Sequence, residues 1–427
     1  MKIYKVKKLK DCVSIKGRIG WKGLKKSESG KNGILIINGP EIFNGIVNWE
    51  KCLRVPEWRY DESPEIMVQE KNILMTKDGT IGKLAFVDKL PEKATLASGV
   101  FRIESKTLLL PEFLFYYFQS KEFKELVVSR TEGSVIPHLY QRDIEELEVP
   151  VPPIEEQKKI AEILFSLDLK VKLNQRMNIT LEAVGQAIFK RWFVDFEFPN
   201  EEGKPYKSSG GEMVYSEIGE IPKDWKISTI GKLASSTNYG YTQSSSSTPV
   251  GPKFLRITDI QEGKIDWATV PYCEIGQDDS KYSLKSGDIV VARTGASTGE
   301  NAYIEECPKS VFASYLIRIR FADKNLARYI AKFMRSTRYQ DYIEGCIGGS
   351  AQPNANAITL TNIQVAVPPN NILQMFGSMA GTLELAKYKN TQESNTLAMI
   401  RDLLLPKFMS GKIRVPIDNK MVRCNNV

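Results

Sequence analysis

With 427 residues the chain is long enough for two or three domains, each burying its own core. A formal charge of +8, from 59 Lys and Arg against 51 Asp and Glu, makes an acidic polymer a reasonable partner, while six cysteines without close spacing and a single histidine argue against a zinc site and for the reduced thiols of a cytosolic protein. No apolar run follows the basic start MKIYKVKKLKDC, and none elsewhere approaches the length of a membrane span, so a secretory signal and a membrane protein are both excluded as expectations.

Residues 1–151 read as a mixed α/β domain. Short apolar runs at Ile34–Ile37, Ile73–Met75, Leu84–Val87 and Val100–Ile103 predict strands, separated by loops rich in Gly, Pro, Asn and Lys. After Pro111 the segment EFLFYYFQSKEFKELV has helical periodicity. Lysine and aromatic residues collect in the loops Trp21–Lys31 and Trp58–Tyr60, which suits a phosphate backbone and stacked bases, although lysine-rich loops are more often merely solvated.

A long helix is predicted over 152–190. Along it Ile160, Leu164, Leu167, Val171, Asn174, Asn178, Leu181 and Ile188 recur at alternating steps of three and four, which is the seam of a coiled coil. Pro152 and Pro153 stop the preceding strand, and Glu155 and Glu156 favour the positive end of the helix dipole. At about 1.5 Å per residue the 36 residues from Ile154 to Phe189 span roughly 54 Å. A Gly- and Ser-containing connector follows over 191–222, with Trp192, Phe193, Phe196 and Phe198 as an aromatic anchor at the helix base. The second globular segment occupies 223–368, and its stretch Asn238–Thr248 lacks apolar periodicity and reads as a mobile loop. A second long helix is predicted over 369–411 and a tail over 412–427, with the seam Phe376, Leu383, Asn390, Leu397 and Leu404.

That second seam is the first displaced by 216 residues, polar middle included: Asn174 and Asn178 in one, Asn390 and Ser394 in the other. Polar groups in an apolar stripe cost stability but set register and partner. The same offset relates Ile73 to Ile289, Gly79 to Gly295, Ala97-Ser98 to Ala313-Ser314, Ile103 to Ile319, Ser134 to Ser350, Pro137 to Pro353 and Pro152-Pro153 to Pro368-Pro369. The chain is therefore a tandem duplication of one globular domain followed by one long helix. Two such helices in one chain can pair antiparallel, relating the globular domains by a pseudo-two-fold axis. On DNA this would present two readers of different half-sites around an unread spacer.

Base edges suit Arg, Lys, Asn and Gln, and phosphates suit Lys, Ser, Thr and main-chain NH groups near glycine. The favoured candidates are the Gly-rich loops 76–83 (Thr76, Lys77, Lys83) and 293–301 (Arg293, Thr294, Ser297, Asn301). A second matched pair is Ser134–Arg142 (Ser134, His138, Tyr140, Gln141, Arg142) and Ser350–Asn356 (Ser350, Gln352, Asn354, Asn356), with Tyr239, Tyr241 and Gln243 in addition. For each the plain alternative is a solvated loop side chain. Catalytic signatures are missing: Gly79-Thr80-Ile81-Gly82-Lys83 has the wrong spacing for a phosphate-binding Walker loop, and both Pro-Pro pairs follow valine instead of the Asn/Asp of an adenine methyltransferase tetrapeptide. A fused methyltransferase-nuclease would need such motifs, while an RNA- or protein-binding scaffold remains open on the residues alone.

Several stretches carry a resemblance across nearly the whole length: VPVPPIEEQKKIAEIL at the first helix, DLKVKLNQRMNITLEAVGQAIFKRWFVDFEF through its end, EIGEIPKDWKISTIGKLA opening the second domain and IRDLLLPKFMSGKI at Ile400–Ile413. In these the chain resembles the specificity subunits of type I restriction-modification systems. It departs from them at VPPNNILQMFGSMAG, where the EEQKKIA pattern is lacking and the first turn of the second helix is left unspecified. The resemblance implies a non-catalytic, cytoplasmic subunit with two target recognition domains on double-stranded DNA. The helices would set the spacer and dock two methyltransferase subunits, joined by two motor-nuclease subunits. No cofactor would sit on this chain, since S-adenosylmethionine, and ATP with Mg, belong to those partners.

Overall fold

The computed structural model describes residues 4–18, 28, 30–131, 137–276, 280–348 and 354–416. Ser134, Ser350 and Gln352 lie outside the described residues, as does most of the Trp21–Lys31 loop. The chain divides into two compact units, one made of Met1–Asn174 with Gln392–Val427 and the other of Gln175–Thr391.

The first unit is built on a four-stranded antiparallel sheet in the order Val13–Gly17, Val100–Ser105, Ile73–Thr76, Leu84–Phe86. Its strand Ile73–Thr76 is buried on both faces, so it reads as an apolar run instead of an alternating one. Ile73, Met75, Phe101 and Ile103 point into a core with Phe113, Tyr116, Tyr117 and Phe123, whereas Leu74, Ala85 and Val100 point the other way. There they meet Leu35, Ile37 and Leu96 of a three-stranded sheet, in which Ile34–Ile37 lies antiparallel to Leu53–Val55 and parallel to Ala94–Leu96. The predicted helix after Pro111 is two helices, Pro111–Tyr117 and Lys121–Thr131. Ser120, which is buried, separates them: its hydroxyl caps the NH of Phe123 and its carbonyl takes the NH of Lys124.

The second unit repeats the plan: a four-stranded sheet in the order Ser236–Tyr239, Leu316–Arg320, Ile289–Ala292, Asn301–Tyr303, and a parallel pair of Lys253–Leu255 with Ser310–Phe312. The stretch Asn238–Thr248 is thus not wholly a loop. Asn238 and Tyr239 pair with Arg318 and Ile317, Tyr241 donates its NH to Phe312 O at 2.8 Å, and a Cβ on Gly240 would fall 2.1 Å from Ala313 O. Sheet pairing holds this backbone where side-chain periodicity gave no sign of it.

Two helices of 40 residues, Ile154–Phe193 and Asn370–Met409, contribute to both units. Each starts one residue after its Pro-Pro pair, so the second helix begins at the matched position without the acidic first turn. The first runs three residues past the predicted end because Trp192 and Phe193 pack into the core of the second unit beside Phe376. Within the first unit Asn174 donates to Glu393 and Ser394, and Asp168 accepts from Arg401. Within the second, Asn178 bonds Asn390 and Thr391, and Glu182 bonds Lys387. Numbers fall along one helix as they rise along the other, so the strands of the pair are antiparallel in each unit. None of the thirteen seam residues is exposed, and Asn174 is fully buried.

Candidate nucleic-acid interface

Each sheet carries, between its third and fourth strands, a loop shaped by its own polar groups. In the first unit Thr76 Oγ1 donates to Thr80 O at 2.6 Å and accepts from the NH of Lys83 at 2.9 Å, while Gly82 N donates to Thr76 O at 2.8 Å. Gly79 and Gly82 have φ of 69° and 79°. In the second unit Gly299 N donates to Ala292 O at 2.9 Å and Thr298 Oγ1 to Gly295 O at 2.7 Å, with Gly295 and Gly299 at φ of 76° and 93°. Only glycine holds such a backbone at little cost.

A second segment zips onto each loop at matched positions. Leu139 N donates to Lys77 O at 2.9 Å, and Asp78 bridges His138; 216 residues on, Ala355 N donates to Arg293 O at 2.8 Å, and Thr294 bridges Asn354. The frame is the same and the chemistry upon it differs. In the first unit the Asp78 carboxylate faces His138 Nδ1 and also Lys77 Nζ at 3.0 Å, and the Tyr140 ring lies edge-on to the imidazole at 4.4 Å. In the second unit Arg293 donates through Nη2 to Asn354 Oδ1 at 3.1 Å and through Nε to Ala355 O at 3.4 Å, with its guanidinium 5.1 Å from the centre of the Tyr239 ring.

The structure therefore brings together Lys77, His138 and Tyr140 in one unit, and Arg293, Thr294, Asn354 and Tyr239 in the other. Gln141 and Arg142 are exposed on the helix that follows Tyr140, Gln141 bonding Glu145. Lys83 and Ser297 are half-buried in the loops. Three candidates have other work: Thr76 is buried and closes its loop, and Asn301 is buried and donates to Gly299 O and Met334 O at 3.0 Å. Asn356 caps the helix Ala357–Thr361 through the NH of Thr359. A polar residue type does not reveal whether the loop itself consumes its hydrogen bonds. The Tyr241 ring packs tilted against Tyr282 at 5.0 Å, and Gln243 is exposed, accepting from the NH of Ser244. Asp78 escaped selection because an acid is a poor match for phosphate, yet the offset that couples it to Thr294 points to it. Among the described residues no helix is long and apolar enough to cross a membrane, and no cluster of His, Cys, Asp and Glu could hold a metal ion.

Residues 1–183 and 222–379, well over half of the chain, match the family described as "Type I restriction modification DNA specificity domain", once for each repeat. The chain is 28% identical over 368 residues to the type I restriction enzyme MjaVIII specificity subunit of Methanocaldococcus jannaschii, covering 82% of this chain and 81% of that one. It is 22% identical over 408 residues to the EcoKI specificity subunit of Escherichia coli, covering 88% and 82%. A crystal structure of the type I restriction-modification S subunit from M. genitalium shares the fold, with a TM-score of 0.59 at 15% identity over 95% of this chain and 96% of that one. Duplicated frame, paired helices and matched family place this chain among the specificity subunits of type I restriction-modification systems.

Proposed function

We propose that this chain is a non-catalytic DNA-reading subunit, each unit recognising one half of an asymmetric bipartite target in double-stranded DNA. The long helices set the unread spacer and carry two methyltransferase subunits, which use S-adenosylmethionine, and two motor-nuclease subunits using ATP and Mg complete the complex in the cytoplasm. What carries this reading is the pair of zipped loops, identical in backbone frame at 78/138 and 294/354 and different in side-chain chemistry. Two copies of one reader with unlike side chains suit two unlike half-sites.

The experiment is methylation mapping of genomic DNA from cells expressing this chain with its methyltransferase subunit, against cells lacking the chain. Two short, unequal half-sites around a fixed spacer are expected. A palindromic motif, or methylation independent of the chain, would overturn the proposal.

A further inference from the structure

We infer that Arg293 reads a guanine in the half-site recognised by the second unit, with Asn354 as its positioning residue; this rests on the DNA-reading function proposed above. Four other arginines of the unit are matched to carboxylates, Arg256 to Asp259, Arg320 to Asp288, Arg328 to Glu305 and Arg335 to Glu182, while Arg318 and Arg338 donate to carbonyl oxygens. Arg293 has no carboxylate partner among the described residues, and it is only half-buried. Its charge is therefore uncompensated at the base of a loop, where its backbone is held on both sides by Tyr315 and Ala355.

Its orientation is also set. Nε is tied to Ala355 O and one Nη2 proton to Asn354 Oδ1, while the flat face lies over Tyr239, whose hydroxyl in turn accepts the NH of Ala357 at 3.1 Å. Among the described residues these contacts leave the end-on edge of the guanidinium, one proton from each Nη, without a partner. Two parallel N–H donors at that spacing match O6 and N7 of guanine in the major groove, which no other base pair presents as adjacent acceptors. At the matched position of the first unit, Lys77 is paired with Asp78, so this donor edge belongs to the second unit alone.

The test uses the full chain assembled with its methyltransferase subunits, scored for methylation across duplexes varied at each position of both half-sites. Arg293→Ala is expected to lower discrimination at one G·C position of one half-site by roughly 5- to 150-fold, with the other half-site unchanged. Arg293→Gln is expected to relax the same position toward adenine, and Asn354→Ala to weaken discrimination there while leaving the rest of the motif intact. The untouched half-site reports that each variant is folded and assembled. Uniform weakening across all sequences, with a shallower salt dependence, would make Arg293 a phosphate contact and overturn the inference. An unchanged motif would overturn it equally. If the wild-type complex itself shows no bipartite motif, the proposed function fails first and the inference with it.

Discussion

Gly82 holds φ at 79°, and a Cβ built on it would stand 2.7 Å from Cγ2 of Val127; at the matched site Gly299 holds 93° and would meet Cγ2 of Ile343 at 3.0 Å. Backbone strain and overlap act together there, so Gly82→Ala is expected to lower stability by about 1–3 kcal/mol. Adding Val127→Ala should recover only the steric share. Denaturant unfolding of the single and double variants checks this, and a Gly82→Ala protein as stable as wild type would sink it. Gly79 and Gly295 were legible as a pair because they share the repeat offset. The contact with Val127 was not, since it joins a loop to a helix far along the chain.

At the scale of elements the helices were the most legible part, because a seam of alternating three and four steps is a local pattern. What fastens them to a globular core was not legible. Glu182 accepts from Lys332, Arg335 and Lys387 within the second unit. Burial alone would raise its pKa, but the three cations outweigh that and hold its carboxyl well below the usual carboxylate range. A depressed folded-state pKa means stabilisation that is complete above the unfolded value of about 4.3 and is lost as pH falls below it. Glu182→Gln should therefore destabilise the chain by roughly 3 kcal/mol near neutral pH, with the gap to wild type beginning to close below about pH 5 and still narrowing below about pH 3. Melting curves across that range decide it, and a gap that widens in acid would refute it. Asn174 bonds Glu393 and Ser394 where the polar middles of the seams meet. Asn174→Leu is expected to leave thermal stability within about 1 kcal/mol while loosening register, seen as methylation at more than one half-site spacing. Normal assembly with a single unchanged spacing would count against it.

On the scale of the whole molecule the duplication makes recognition modular. Each sheet, its zipped loops and its surrounding core belong to one unit. Exchanging residues 1–150 for those of another specificity subunit should change one half-site and leave the other and the spacer as they were. Methylation mapping of the chimera checks this, and a change in both half-sites would end the modular account.

By itself the sequence determined the tandem repeat, the two helices with their polar midpoints, the main strands of the first domain and the family, all of which are written in local periodicity or in identities at one constant offset. Tertiary structure alone decided which polar residues remain free to meet a ligand. Thr76 and Asn301 carry the same chemistry as Thr294 and Asn354, but the fold buries the first two and consumes their hydrogen bonds. The pairing of Asp78 with His138 and of Arg293 with Asn354 was likewise invisible, because each joins residues about sixty positions apart through a backbone bridge that forms only once the sheet is assembled.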